Sequence, residues 1–377
     1  PGDLVAPAPG VAVLLARTEH LTEEEPIEED YWVAGLEWVE LHGADLVSSS
    51  LSYYAWYDFS DFDGNTAVTT LAADEAAGRG LLVINSSGNN RATTGTMGAP
   101  ADGFDVLTVG AVDENGVVAY FSSPGPTADG RIKPEVVSRG LNNTVAHPSD
   151  DGAYLFASGT SFSCPLVSGV VALMLERVPQ LTPGQIVEAL KATASQSLAP
   201  DNDLGWGIVD AWAAATWFGP VIALVSLPDT EDVAGPYSVT ANITDRVGVD
   251  TGSIVLHYRI NGGPWTGLPM AASEIPEVFQ ADIPGAAAYS TVEYYLTAAG
   301  TNGFATSLPY QEADCAFRFT TGPWRDIGYA DAPSSPIADG VGEGLVRVIN
   351  VPVTDSGFIL NFSVDIDVSH PDRGELV

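Results

Sequence analysis

An α/β fold built on a parallel sheet flanked by helices, followed by an all-β sandwich and a partial β-rich domain, is what this sequence predicts. Three observations lead there. Short β-branched runs alternate with helical stretches in the first part of the chain; the helical period disappears after Pro220; and a Pro- and Ser-rich stretch at 332–336 precedes a last set of strand-like runs. The domain boundaries that follow are 1–217, 218–322 and 323–377.

In the first of these parts, short runs with an apolar, often β-branched centre at residues 11–16, 44–50, 80–85 and 106–112 read as buried strands. Residues 30–42 and 69–79 read as helices between them. Thr182-Pro183-Gly184-Gln185 combines a capping hydroxyl, proline at the first helical position and glutamine three residues after the cap, which predicts a helix running to about Ala194. Beyond Pro220, alternating runs at 253–260, 292–298 and 315–319 lie between Gly, Pro and Asp turns and predict a sandwich of the immunoglobulin type. Strand-like runs at 344–351 and 358–368 read as the front half of a third, β-rich domain.

The chain has 377 residues, 45% of them hydrophobic, enough to bury more than one core. Its net charge of -35 repels phosphate-rich partners and anionic lipid, so nucleic-acid binding is not expected. The same acidity suits salty surroundings and supplies carboxylates that could hold structural calcium. Cys164 and Cys315 fall in different predicted domains, so no disulfide framework is expected. No apolar stretch approaches the length of a bilayer span, and no basic-then-apolar leader opens the chain. A start at Pro1 without methionine and an end at Val377 inside a strand-like run lead to the expectation that both termini are truncated.

Chemistry concentrates at Phe156-Ala157-Ser158-Gly159-Thr160-Ser161, which leads into Phe162-Ser163-Cys164-Pro165-Leu166-Val167-Ser168-Gly169 and an apolar helix. A tight turn there would place the Ser161 hydroxyl at a helix N-terminus, where backbone N–H groups and the helix dipole favour developing negative charge. Gly159-Thr160-Ser161 followed by Pro165 and Gly169 resembles the nucleophile motif of the subtilisin-like serine proteases, with Phe162-Ser163 and Leu166 where the family often has Met-Ala and His. After the apolar run 81–84, Asn85-Ser86-Ser87-Gly88-Asn89-Asn90 is similar to the segment from which that family takes a side-chain oxyanion donor, and the resemblance assigns that role to Asn89. Ser50-Leu51-Ser52 looks like the family's edge segment that pairs with substrate backbone and walls the main specificity pocket; a Cβ at Ser52, where glycine is frequent, narrows the entrance. Gly88 and Thr160 complete the expected substrate-binding set. Val5-Ala6-Pro7, the run Phe121-Ser122-Ser123-Pro124-Gly125-Pro126 and Lys133-Pro134-Glu135-Val136 strengthen the resemblance, which covers about the first 215 residues.

The family order along the chain is Asp, then His, then Ser, and the resemblance puts the first two upstream of Val5-Ala6-Pro7. His42-Gly43 lacks the Thr-His that should follow the glycine, and His20, His147, His257 and His370 have no matching context and read as surface residues. Asp250-Thr251-Gly252 and Asp355-Ser356-Gly357 are similar to the family's aspartate motif, and as a pair to the two lobes of an aspartic protease, but they read as turns. A serine without its base is a weak nucleophile, so the 377 residues alone are expected to be inactive. The stretch 58–64 fails the EF-hand spacing, which leaves a less regular calcium site at Asp61 and Asp63 as the metal expectation, with no cofactor required for the chemistry. The end of the chain, 364–376, looks like the P domain that follows the catalytic domain in proprotein convertases. The resulting expectation is part of a secreted or cell-surface serine endopeptidase, monomeric and acting on polypeptides; the alternative is a non-catalytic adhesion or scaffold protein with a decayed protease domain.

Overall fold

A computed structural model describes residues 6–20, 24–93 and 96–322. The expected third domain at 323–377, with Asp355-Ser356-Gly357, His370 and the P-domain-like run, lies outside them, as does Val5. The chain divides into two compact units, one reaching from the N-terminus to Val221 and including Thr244–Val249 and Ala299–Thr306, the other comprising Ile222–Ile243, Asp250–Ala298 and the chain from Ser307 onward.

The first unit opens with helix α1 (Ile27–Leu41), strand β1 (Leu46–Ser49), helix α2 (Val68–Gly78) and strands β2 (Leu82–Ser86) and β3 (Leu107–Val112). Strand β4 (Val136–Arg139) completes a four-stranded parallel sheet in the order β1-β2-β3-β4. Alternation along β2 sends Leu82 and Ile84 to one face and Val83 to the other. Trp32, Leu36 and Val39 form one stripe of α1 and pack with Ala73 and Ala76 of α2 against Val83. The opposite face receives α3 (Thr160–Arg177) and α4 (Pro183–Thr193): Cys164, Val167, Val171 and Met174, with Ile186 and Leu190, cover Leu82, Ile84, Leu107 and Val109. Both faces are therefore sealed, which is why β2 and β3 are buried at every position. Between β4 and α3 lies a two-stranded antiparallel hairpin, β5 (Asn143–His147) and β6 (Asp150–Ala157), and a short helix α5 (Ala211–Ala215) follows α4.

One expected strand is absent. Residues 11–16 have no regular structure, with Val13 67% and Leu15 86% exposed. A strand requires a ladder partner for its N–H and C=O groups, and among the described residues β1 pairs only with β2, which leaves this apolar run without a neighbour.

The second unit is antiparallel. Strands β7 (Val221–Leu224), β8 (Tyr237–Thr244), β11 (Ala271–Ala272) and β12 (Val278–Ile283) form one sheet in the order β11-β12-β8-β7. Strands β9 (Val249–Ile260), β10 (Thr266–Pro269), β13 (Thr291–Gly300) and β14 (Ala305–Leu308) form the other, with β15 (Phe317–Thr320) on β13. Period-two burial along β8 places Val239 and Ala241 opposite Ala281 and Phe279. Tyr237 of β8 meets Phe319 of β15 edge-on at 5.0 Å, joining the two sheets.

Candidate active site

Parallel neighbours β1 and β2 end side by side, so the turns that follow them, Ser50-Leu51-Ser52 and Ser87-Gly88-Asn89, lie together at the carboxyl end of the sheet. Helix α3 brings its first turn to the same place. Gly159, at φ 150°, takes the backbone into the helix through a conformation that side-chain-bearing residues rarely adopt, and its N–H is anchored on Gly140 O at 2.8 Å. Thr160 is buried and Ser161 half-buried, so the hydroxyl of Ser161 stands at an accessible helix start.

Asn89 is exposed, but its carboxamide oxygen is committed: it accepts from Thr160 N at 3.0 Å and from Thr160 Oγ1 at 3.1 Å. With the oxygen thus satisfied, the Nδ2 end is the donor left for a ligand. Thr160 Oγ1 also accepts from Gly88 N at 3.2 Å, and Gly88 has φ 96°, so the turn is tied to the helix start on both sides of Asn89. At the α3 start Phe162 N bonds Gly159 O at 3.0 Å, which leaves the N–H of Ser161 without an intrahelical acceptor, and no acidic side chain occupies the first turn to compete for it.

Proline inside α3 has a consequence here. Pro165 has no N–H, so the carbonyl of Ser161, four residues earlier, lacks its helical donor. Ser50 Oγ donates to that oxygen at 3.3 Å instead, connecting the turn after β1 directly to Ser161. Leu51 offers its carbonyl to the buried Asn85 Nδ2 at 3.1 Å. Ser50, Ser52, Gly88, Asn89, Thr160 and Ser161 thus form one neighbourhood drawn from three elements. Asp61 and Asp63 belong elsewhere: Asp61 accepts from Asp58 N at 2.9 Å and Asp63 from Asn65 N at 2.8 Å, each closing its own local turn. No group of three His, Cys, Asp or Glu that could hold a metal ion gathers among the described residues.

Three supporting residues escaped the sequence reading. Asn85 positions Leu51, Ser123 accepts from Asn90 N at 2.9 Å and donates its own N–H to Gly88 O at 2.9 Å, and Asn143 reaches Phe162 O with its Nδ2 at 3.4 Å. Asn85 and Ser123 lay in stretches already noted, but nothing local marks the first as a contact of Leu51 or the second as a contact of residue 88. Cys164, three residues beyond Ser161, is fully buried, and burial pushes its thiol up to about 11, which removes it as a competing nucleophile.

No histidine or carboxylate hydrogen-bonds the Ser161 hydroxyl among the described residues. His20 stacks on Tyr31, the His42 ring meets Trp38 O at 2.7 Å, and His147 Nδ1 accepts from Ser149 N at 3.2 Å. Asp250 Oδ1 accepts from Gly252 N at 3.0 Å, the geometry of a local turn. The site therefore offers an accessible alcohol, the backbone N–H of Ser161 and a side-chain amide donor in one neighbourhood, a set suited to an oxyanion. No helix among the described residues is long and apolar enough to cross a membrane.

Comparison with known proteins bears on the same half of the chain. Residues 4–207 match the model of the subtilase family, peptidase family S8. Subtilisin DY of Bacillus licheniformis is 33% identical over 185 residues, covering 48% of this chain and 61% of that protein. Serine protease AprX of Bacillus subtilis (strain 168) is 34% identical over 160 residues, covering 37% of this chain and 36% of that protein. A solved structure described as the self-cleaved protease domain of PatA aligns at TM-score 0.42 and 26% identity, covering 50% of this chain and 67% of that one.

Proposed function

The chain belongs to the subtilase family of serine endopeptidases, and on that footing we propose that it hydrolyses peptide bonds through an acyl-enzyme on Ser161. Asn89 Nδ2 and the Ser161 N–H stabilise the oxyanion, and the general base and its orienting acid come from sequence upstream of Pro1. The observation that supports this best is the double hydrogen bond that holds the Asn89 oxygen on Thr160 and leaves the amide nitrogen free beside the nucleophile.

In this mechanism a polypeptide lies along Ser50-Leu51-Ser52 and presents a carbonyl to Ser161 Oγ. The upstream histidine takes the hydroxyl proton as the C–O bond forms, then gives it to the leaving amine as the acyl-enzyme appears; water completes the cycle. The negative charge that passes through the carbonyl oxygen meets donors already in place, which costs no reorganisation. We read the β-rich second unit as an immunoglobulin-like accessory domain, the protein as a monomer, and its setting as secreted or cell-surface.

Hydrolysis of a chromogenic peptide substrate by a polypeptide that also carries the upstream segments is expected, with loss to background on Ser161→Ala. The 377 residues alone are expected to show none. Hydrolysis that survives Ser161→Ala sinks the assignment; hydrolysis by the 377 residues alone would instead place the base within them. The lack of a base beside Ser161 among the described residues is also what a non-catalytic scaffold would show, and upstream sequence without Asp and His motifs would favour that reading.

A further inference from the structure

Helix α4 buries Ile186, Ala189 and Leu190 in the core and turns Val187, Glu188, Lys191 and Ala192 the other way, into an open pocket of about 370 Å³ whose opposite wall includes Ser197 and Trp206. That wall is held by backbone: Trp206 N donates to Glu135 O at 2.8 Å and Gln196 N to Trp206 O at 2.9 Å. Two opposite charges in the pocket lack protein partners. Glu188 and Lys191 stand three apart on one helix face, a spacing at which carboxylate and ammonium can pair, yet among the described residues neither side chain makes an ion pair or a hydrogen bond. Lys191 Nζ lies instead 3.5 Å from the centre of the Trp206 ring. Its three N–H donors are therefore without an oxygen or nitrogen acceptor, and burial pulls the ammonium below its ordinary 10.5.

Val187, Ala192 and the indole give the pocket an apolar lining beside these charges, and Ser197 adds a hydroxyl. A ligand that matches the whole set brings a carboxylate to Lys191, an ammonium to Glu188 and an apolar body to the rest. A plain anion approaches against the net charge of -35, whereas a zwitterion has no net charge and answers both side chains. The volume falls at the small end of the range of about 300–1,000 Å³ that small-molecule sites occupy. We propose that this pocket binds a short apolar peptide, of about two residues, by its two charged ends. None of its lining residues belongs to the neighbourhood of Ser161. The binding does not rest on the peptidase reading; together with it, the ligand is of the class that hydrolysis releases.

The test titrates the 377-residue protein by isothermal calorimetry with three probes: the dipeptide Leu-Leu, its N-acetyl form, which lacks the ammonium, and its C-terminal amide, which lacks the carboxylate. Leu-Leu is expected to bind with a Kd of about 1 mM or tighter, and each blocked form at least about tenfold more weakly. In Lys191→Met the acid and the amide fall to the same weak affinity; in Glu188→Gln the free and the acetylated forms do. General loosening of the fold would not produce that crossed pattern, and thermal melts of both variants confirm folding. No binding of Leu-Leu at about 10 mM, equal binding of all three probes, acetyl-Leu-Leu binding as tightly as Leu-Leu, or Leu-Leu affinity unchanged in either variant overturns the proposal. Ser161→Ala is expected to leave the binding values as they are, so the hydrolysis assay judges the peptidase reading separately.

Discussion

Lys133 has a side chain only 1% exposed, yet each of its three N–H bonds has an acceptor: Val106 O at 2.8 Å, Thr108 Oγ1 at 3.3 Å and the Glu135 carboxylate at 2.8 Å. Glu135 in turn accepts from Thr108 N at 2.8 Å, so the pair stitches the entry of β3 to the entry of β4. A buried ion pair whose partners are all satisfied adds little over a hydrophobic pair, but losing one member strands the other charge. Lys133→Met is therefore expected to cost about 3–5 kcal/mol, read from urea melts, and a loss under 1 kcal/mol would contradict this account. In the sequence, Lys133-Pro134-Glu135-Val136 stood out by resemblance alone; the reason for the lysine appears only when Val106 and Thr108 are placed against it. The same holds for Asn89, whose identity was legible while the orientation of its amide depended on Thr160, 71 residues away.

Helix starts were the most legible elements, because their signals are local. α4 begins as expected, with Gln185 N donating to Thr182 Oγ1 at 3.3 Å and Thr182 N to Gln185 Oε1 at 2.9 Å. Thr182→Ala is expected to destabilise the first unit by about 1 kcal/mol, with Thr182→Ser close to neutral, by thermal or denaturant melts. The hairpin of β5 and β6 was not anticipated: its strands carry exposed Tyr154 and Phe156 on one face and a register shift near Ala146, so the alternation is interrupted. In the second unit β9 and β13 are clamped by Arg259, which donates to both Glu293 oxygens at 2.8 and 3.0 Å. These bonds hold the Glu293 carboxyl below its ordinary 4.5. A depressed carboxylate stabilises the fold at pH above its ordinary value, and that contribution is lost as pH falls through the lower folded value. Melting of the second unit should accordingly drop between pH 6 and pH 3 by more in the unaltered protein than in Glu293→Gln, and equal drops would exclude the clamp as a source of acid sensitivity.

At the scale of the whole molecule the dominant feature is charge, -35 over 377 residues. Such a field accelerates encounter with cationic polypeptides and slows it with anionic ones, and salt screens both effects over a Debye length of about 8–10 Å. Association with a lysine-rich unfolded polypeptide is expected to slow about tenfold or more between 20 and 200 mM salt, measured by stopped-flow fluorescence, and a salt-independent rate would show that the charge is too dispersed to steer. The chain spans about three-fifths of Subtilisin DY and about a third of AprX. What the sequence determined by itself was whatever neighbours along the chain decide: the cap at Thr182, the turn into Ser161, the sealed runs of β2 and β3, and the switch to alternating strands after Pro220. What the tertiary structure decided was which turns meet. Ser50 reaches Ser161 across 111 residues because β1 and β2 lie in parallel register and α3 packs across both. The run at 11–16 carries a strand's pattern without a strand's hydrogen bonds, since a ladder needs a partner and local composition cannot name one.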